Sequence, residues 1–92
     1  MKKTCPIATM TSLIGDHCTV LIVRDLLTGP KRFKDLEESL DISTRTLTIK
    51  LQNLEKEGMI IKDDGYTLTR KGKDLGMITK AMKKYGEKYY TA

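Results

Sequence analysis

ISTRTLTIKLQNLEKEGMI, residues 42–60, decides how the rest of the chain is read. Ser43 suits an N-cap, because its hydroxyl can accept from one of the amides that a helix start leaves unpartnered. Ile42 before the cap and Leu47 at the fourth helical position can form a hydrophobic staple that fixes the direction of approach. Leu47, Leu51 and Leu54 then recur at i, i+4 and i+7, one narrow apolar stripe. Gly58 closes the helix at a position where a left-handed backbone carries no steric penalty for glycine.

At about 100° per residue, Arg45, Thr48, Ile49, Gln52 and Lys56 all point away from the leucines. A solvated helix face is more often built from Glu and Lys paired at i, i+4. This one is uncharged or basic until Glu55, with short hydroxyls, one amide and an isolated isoleucine. Arginine can bond the O6/N7 edge of guanine, glutamine the N6/N7 edge of adenine, and Thr or Ile can touch a thymine methyl. An ordinary surface helix fits these residues as well, so the flanking segments have to discriminate.

Ninety-two residues make one domain, 1–92, with room for a single core. Apolar residues are 39% and charged residues 32%, without a long polar tract. No run approaches the roughly 18 apolar residues of a membrane span. The N-terminus MKKTCPIATM is short and polar for a secretory signal, so a cytoplasmic protein with no membrane partner is expected. Seventeen Lys and Arg face twelve acids, a net charge of +5. The excess is concentrated in residues 59–92, which carry about +4. Two cysteines and one histidine exclude a disulfide scaffold and a four-ligand zinc site within one chain. A lone histidine and the lack of a Gly-rich phosphate loop leave no catalytic constellation, so neither enzyme activity nor a cofactor or metal is expected.

Cys5-Pro6 marks a helix start, since proline suits the first helical position. Ile7, Met10, Leu13 and Ile14 follow at helical spacing, and Gly15-Asp16 ends that unit, 5–18 with its loop. A second helix is predicted from about Thr19 to Thr28; Val20, Ile22, Val23, Leu26 and Leu27 make it apolar over a wide arc, as in a central helix. Gly29-Pro30 is a hard stop. Phe33, Leu36 and Leu40 mark a third helix over 32–39, and Leu40-Asp41-Ile42 is the turn into the helix that Ser43 caps. Two short helices joined by a tight turn form a helix-turn-helix, so 19–58 is the central helix plus that motif. Met59–Lys62 and Tyr66–Leu68 flank Asp63-Asp64-Gly65 and predict a hairpin, the wing, over 59–68. Thr69 can cap a last helix over 70–90 whose Leu75, Ile78, Met82, Tyr85 and Tyr89 form a heptad-like seam. Gly72, Gly76 and Gly86 would each weaken that helix by about 1 kcal/mol relative to alanine. The resulting fold class is mainly α with a small β-hairpin: a winged helix-turn-helix.

CPI at 5–7, LIGDHCTVLIVRDLLTGPKRFKDLEESL at 13–40, ISTRTLTIKLQNLEKEGMI at 42–60 and YTLTRKGKDL at 66–75 together resemble the HxlR-type winged-helix transcriptional regulators, a MarR-like group. The resemblance spans nearly the whole chain. It implies a homodimer, paired through its terminal helices, that binds double-stranded DNA at a pseudo-palindromic operator. Ser43, Arg45 and Thr46 match the start of the family's recognition helix. The expected DNA contacts are Ser43, Thr44, Arg45, Thr48, Ile49, Gln52 and Lys56, with Lys62, Arg70 and Lys71 at the base of the wing. The expected dimer interface is Ile7, Met10, Leu75, Ile78, Met82, Tyr85 and Tyr89. The wing departs from the family's longer, basic, Pro-containing tip, and Asp63 and Asp64 would repel phosphate. Cys18 stands where the family tends to have tryptophan, leaving volume that Met10 or Phe33 would fill. Cys5 has two readings, an exposed cytosolic cysteine or a redox or electrophile sensor. A helix N-terminus and the nearby Lys2 and Lys3 favour a reactive thiolate, and the family often uses a cysteine there. A protein–protein module on the same fold is the competing reading of the whole chain.

Overall fold

The computed structural model describes residues 5–91. Their order is α1 (Pro6–Ile14), α2 (His17–Leu26), α3 (Phe33–Leu40), α4 (Thr44–Lys56), β1 (Ile60–Lys62), β2 (Tyr66–Leu68), α5 (Arg70–Lys73) and α6 (Gly76–Tyr89). This is the expected mainly helical winged domain.

Local chemistry sets most boundaries. Pro6 opens α1, and the Cys5 sulfur accepts from the Ala8 amide at 3.5 Å. α2 begins at His17, two residues before the expected Thr19, because Asp16 caps it. The Asp16 carboxylate accepts from the amides of Cys18 and Thr19 and, at 2.6 Å, from the Thr19 hydroxyl. That bond satisfies Thr19, which is buried. α3 starts where Asp35 accepts from the Arg32 amide at 3.0 Å. It stops at Asp41, whose φ of 51° lies in the left-handed region. Ser43 caps α4 by accepting from the Thr46 amide at 3.1 Å. At the other end, Gly58 has a φ of 76°. The Gly58 amide donates to the Glu55 carbonyl at 3.0 Å and the Met59 amide to that of Leu54 at 2.9 Å, the paired bonds of a Schellman ending.

α2 is central, as its apolar arc predicts: Ile22, Val23 and Leu26 are buried and α3, α4, α6 and β2 pack around it. The leucine stripe of α4 and Leu36 of α3 complete the middle of the core. Met10 and Phe33 are half-buried against it, and Cys18 is half-buried rather than fully enclosed.

The hairpin pairs antiparallel with Ile60 opposite Leu68, Ile61 opposite Thr67 and Lys62 opposite Tyr66. A third segment joins it that periodicity does not reveal. Lys31 exchanges both backbone bonds with Tyr66, at 3.1 and 2.7 Å, which ties the start of α3 to the wing.

The single helix expected over 70–90 is two. α5 ends at Lys73, the Leu75 amide bonds the Gly72 carbonyl three residues back, and α6 begins at Gly76. Gly72 is buried against the carbonyl of Met59. That close approach seats α5 on the hairpin and turns Leu75 inward. Leu75 is only 6% exposed and belongs to the core of the domain, so its assignment to an outward seam is corrected. No single helix among the described residues is long and apolar enough to cross a membrane; the α1–α2 pair has the composition only across an 84° bend.

Candidate nucleic-acid interface

α4 spans 13 residues, about 20 Å of helix. Leu47, Leu51 and Leu54 bury one side of it almost completely. This anchor leaves Arg45, Gln52 and Lys56 exposed and Thr48 half-buried on the far side. Ile49, in the middle of that face, is 44% exposed. An aliphatic side chain held open there gains only when another surface covers it. Asn53, which no pattern in the sequence sets apart, is exposed beside these groups.

The hydroxyls at the start of α4 are committed internally. Ser43 donates to the Thr46 oxygen at 2.9 Å, Thr44 to the Glu37 carboxylate at 2.5 Å, and Thr48 to the Thr44 carbonyl at 2.7 Å. A hydroxyl has one proton, so these side chains offer lone pairs and methyl groups outward while fixing the helix start. The stronger outward donors are Arg45 and Gln52. Glu37, within α3, carries no local signal of this role.

At the base of the wing, Lys62 and Arg70 are exposed, and the Lys62 ammonium lies 5.9 Å from the Tyr66 ring centre. Lys71, the third expected phosphate contact, is exposed as well; its ammonium donates to the Glu57 carbonyl at 2.8 Å, where it meets the partial negative charge at the C-terminal end of α4. At the wing tip, Arg32 reaches Asp64 at 3.1 Å. The acidic tip is therefore partly matched by a cation from α3.

Lys50 connects α4 to the corner between α1 and α2, its ammonium 3.3 Å from Asp16. Partial burial pushes the Asp16 carboxyl up, but its bonds from the Thr19 hydroxyl and amide and from Lys50 outweigh that and hold it below the usual aspartate range. The folded state then binds this proton less readily than the unfolded chain. The associated stability is present above the ordinary aspartate pKa of about 3.9 and is lost as pH falls through the lower folded value. Asp16→Asn should accordingly flatten the fall of the urea midpoint between about pH 5 and pH 2. A variant that loses stability as steeply as wild type over that range would show that other carboxylates dominate.

A second surface is apolar. Ile7 on α1 and Met82, Tyr85 and Tyr89 on α6 are 75%, 54%, 63% and 59% exposed, while Met10 and Ile78 are half-buried. The stripe that begins in the core at Leu75 thus emerges into solvent along α6. An open groove of about 680 Å³ lies between α1, α2 and α6, lined by Ile7, Met10, Val20, Leu21, Ile78 and Met82. Cys5 stands exposed at the start of α1; Lys2 and Lys3 lie outside the described residues. Among the described residues, no three His, Cys, Asp or Glu side chains are placed to hold a metal ion.

A short helix, a tight turn, a second helix with a polar outward face and a hairpin on its heels define a winged helix-turn-helix of the DNA-binding class. The chain belongs to the HxlR-like helix-turn-helix family, which its residues 13–92 match. The HTH-type transcriptional regulator YdeP of Bacillus subtilis is 32% identical over 94 residues, covering 92% of this chain and 73% of that protein. YodB of the same organism, also an HTH-type transcriptional regulator, is 32% identical over 87 residues, covering 85% and 78%. Among solved structures, quinone-bound YodB superposes with a TM-score of 0.84 at 33% identity, covering 92% of this chain and 100% of that one. The redox regulator HypR in its oxidised form gives 0.81 at 27% identity, covering 96% and 100%. The chain is a transcriptional regulator by family and not an enzyme.

Proposed function

We propose that the protein acts as a cytoplasmic homodimer that reads a pseudo-palindromic operator with α4 and answers oxidants or electrophiles through Cys5. The observation that carries the DNA reading is the outward face of α4. Arg45, Ile49 and Gln52 stand exposed on a helix whose other side is fully anchored, and the wing comes immediately after it. In this reading α4 enters the major groove and Lys62 and Arg70 meet flanking phosphates. The groove and emergent stripe of α1 and α6 favour pairing of two copies through those helices. Recognition helices of a two-fold dimer then sit about 34–36 Å apart.

Selection from a pool of random duplexes tests the reading. It should enrich an inverted repeat; weak, non-specific binding without enrichment would favour a protein partner for α4. On the selected operator, Arg45→Ala should weaken binding by about 1–3 kcal/mol with the melting temperature unchanged. Equal losses on operator and random DNA would remove Arg45 from base readout.

Cys5 supports the sensing half of the proposal by being exposed and placed at a helix start, where its sulfur already accepts an amide bond. Chains similar to this one were solved bound to quinone and in an oxidised form. Treatment with a quinone or a hydroperoxide should change operator affinity of the wild type and leave Cys5→Ser unaffected. An equal response from both proteins would end the sensing role.

A further inference from the structure

We propose that Arg32 is a further contact to the DNA backbone, held in reserve by Asp64, which occupies the guanidinium in the place of a phosphate. The inference rests on the DNA-binding reading and deepens it.

Arg32 sits at the N-terminal boundary of α3, yet its side chain belongs to the wing. The two bonds between Lys31 and Tyr66 sew this segment to the hairpin. Arg32 then extends to the tip, where its Nη2 lies 3.1 Å from the Asp64 carboxylate. Both side chains are open to solvent, at 69% and 89%. The pair borders a cleft of about 400 Å³ between α3 and the wing, which Lys31, Asp35 and Asp63 also line. Whatever surface the wing tip meets, Arg32 meets as well.

The chemistry of the pair allows exchange. A guanidinium presents a planar fork of donors that fits a carboxylate and a phosphate equally well. An ion pair this exposed is weak and readily replaced. Asp64 therefore does two things to a wing approaching DNA: it repels phosphate directly, and it engages the cation that reaches the tip from the start of α3. When phosphate takes over the guanidinium, the carboxylate is released to solvent. Asp63 carries the same charge one residue away and makes no side-chain bond or ion pair to Arg32, so it can supply only the direct repulsion.

Fluorescence anisotropy with a labelled random-sequence duplex, over a series of salt concentrations, separates the two effects. Wild type, Asp63→Asn, Asp64→Asn, Arg32→Gln and the double variant Arg32→Gln/Asp64→Asn are compared. Asp64→Asn should tighten binding roughly threefold or more at moderate salt and steepen the salt dependence by about one ion, as one added phosphate contact does. Asp63→Asn should tighten it less, Arg32→Gln should weaken it, and the double variant should lose most of the gain of Asp64→Asn. Equal gains from the two aspartate variants, persisting without Arg32, would overturn the proposal in favour of plain charge repulsion. Binding unchanged by Arg32→Gln would overturn it too. Wild type that binds no duplex even at low salt would overturn the DNA reading and this proposal together.

Discussion

Leu51→Ala is expected to lower the unfolding free energy by about 2–5 kcal/mol, the range for emptying a leucine site in a closed core. Leu51 is 1% exposed and lies between Leu47 and Leu54, which are 0% and 3% exposed, on the side of α4 that meets α2. Neighbours on both elements are held by capped helices and have little freedom to collapse into the void. In a domain of this size the loss is a large part of a total of about 5–15 kcal/mol. The melting temperature should drop by about 10–30 °C. An unchanged melting temperature would mean that α4 is rotated about its axis, with another face against α2. Because the same helix carries Arg45 and Gln52, DNA binding near the new transition should fail with the fold rather than before it.

Gly72→Ala should be the next most damaging change, and it reverses what helix propensity alone expects. Alanine in a helix is favoured over glycine by about 1 kcal/mol. Here, however, an added Cβ would lie 2.0 Å from the Met59 carbonyl oxygen and 2.9 Å from the Leu68 side chain. The first obstacle is backbone, and that carbonyl already accepts the Thr69 amide at 3.0 Å. Relief requires α5 to lift from the hairpin, which would withdraw Leu75 from the core. A loss of about 1–3 kcal/mol, or more, is expected by urea denaturation. Gly86→Ala is the matched control: nothing lies within 4 Å of the added atom, so it should gain stability. Equal effects at the two positions would show that α5 does not seat against the Met59 carbonyl.

The contrast between these glycines shows where sequence reading works and where it stops. α4 is legible from end to end, because its cap, stripe and closing Gly58 are all local signals. The hairpin is legible for the same reason. Lys31 is not, since its pairing with Tyr66 joins residues 35 positions apart and leaves no periodicity. The spacing of Leu75, Ile78, Met82, Tyr85 and Tyr89 marks a stripe correctly. It carries no sign that the first member is buried, because depth depends on how α5 rests on the sheet. The outward side chains of α4 come directly from helical geometry. Arg32, Glu37 and Lys50 escape notice because charged residues near the surface look alike until a distant partner is placed beside them. Thr44 and Thr48 are legible as positions, but the direction of their hydroxyl protons is not.

The end of α4 is fastened to the hairpin and to α5 by three separate ties. Met59 closes the Schellman bonds, the Thr69 hydroxyl donates to the Gly58 carbonyl at 2.6 Å, and Lys71 holds the carbonyl of Glu57. A hairpin attached at one point would swing like a flap, but one attached at both its root and its return strand behaves as a bracket welded to the helix. Depth and reach are then a single coordinate. In the proposed docking, how far α4 sinks into a DNA groove would dictate where the tip of the wing comes to rest.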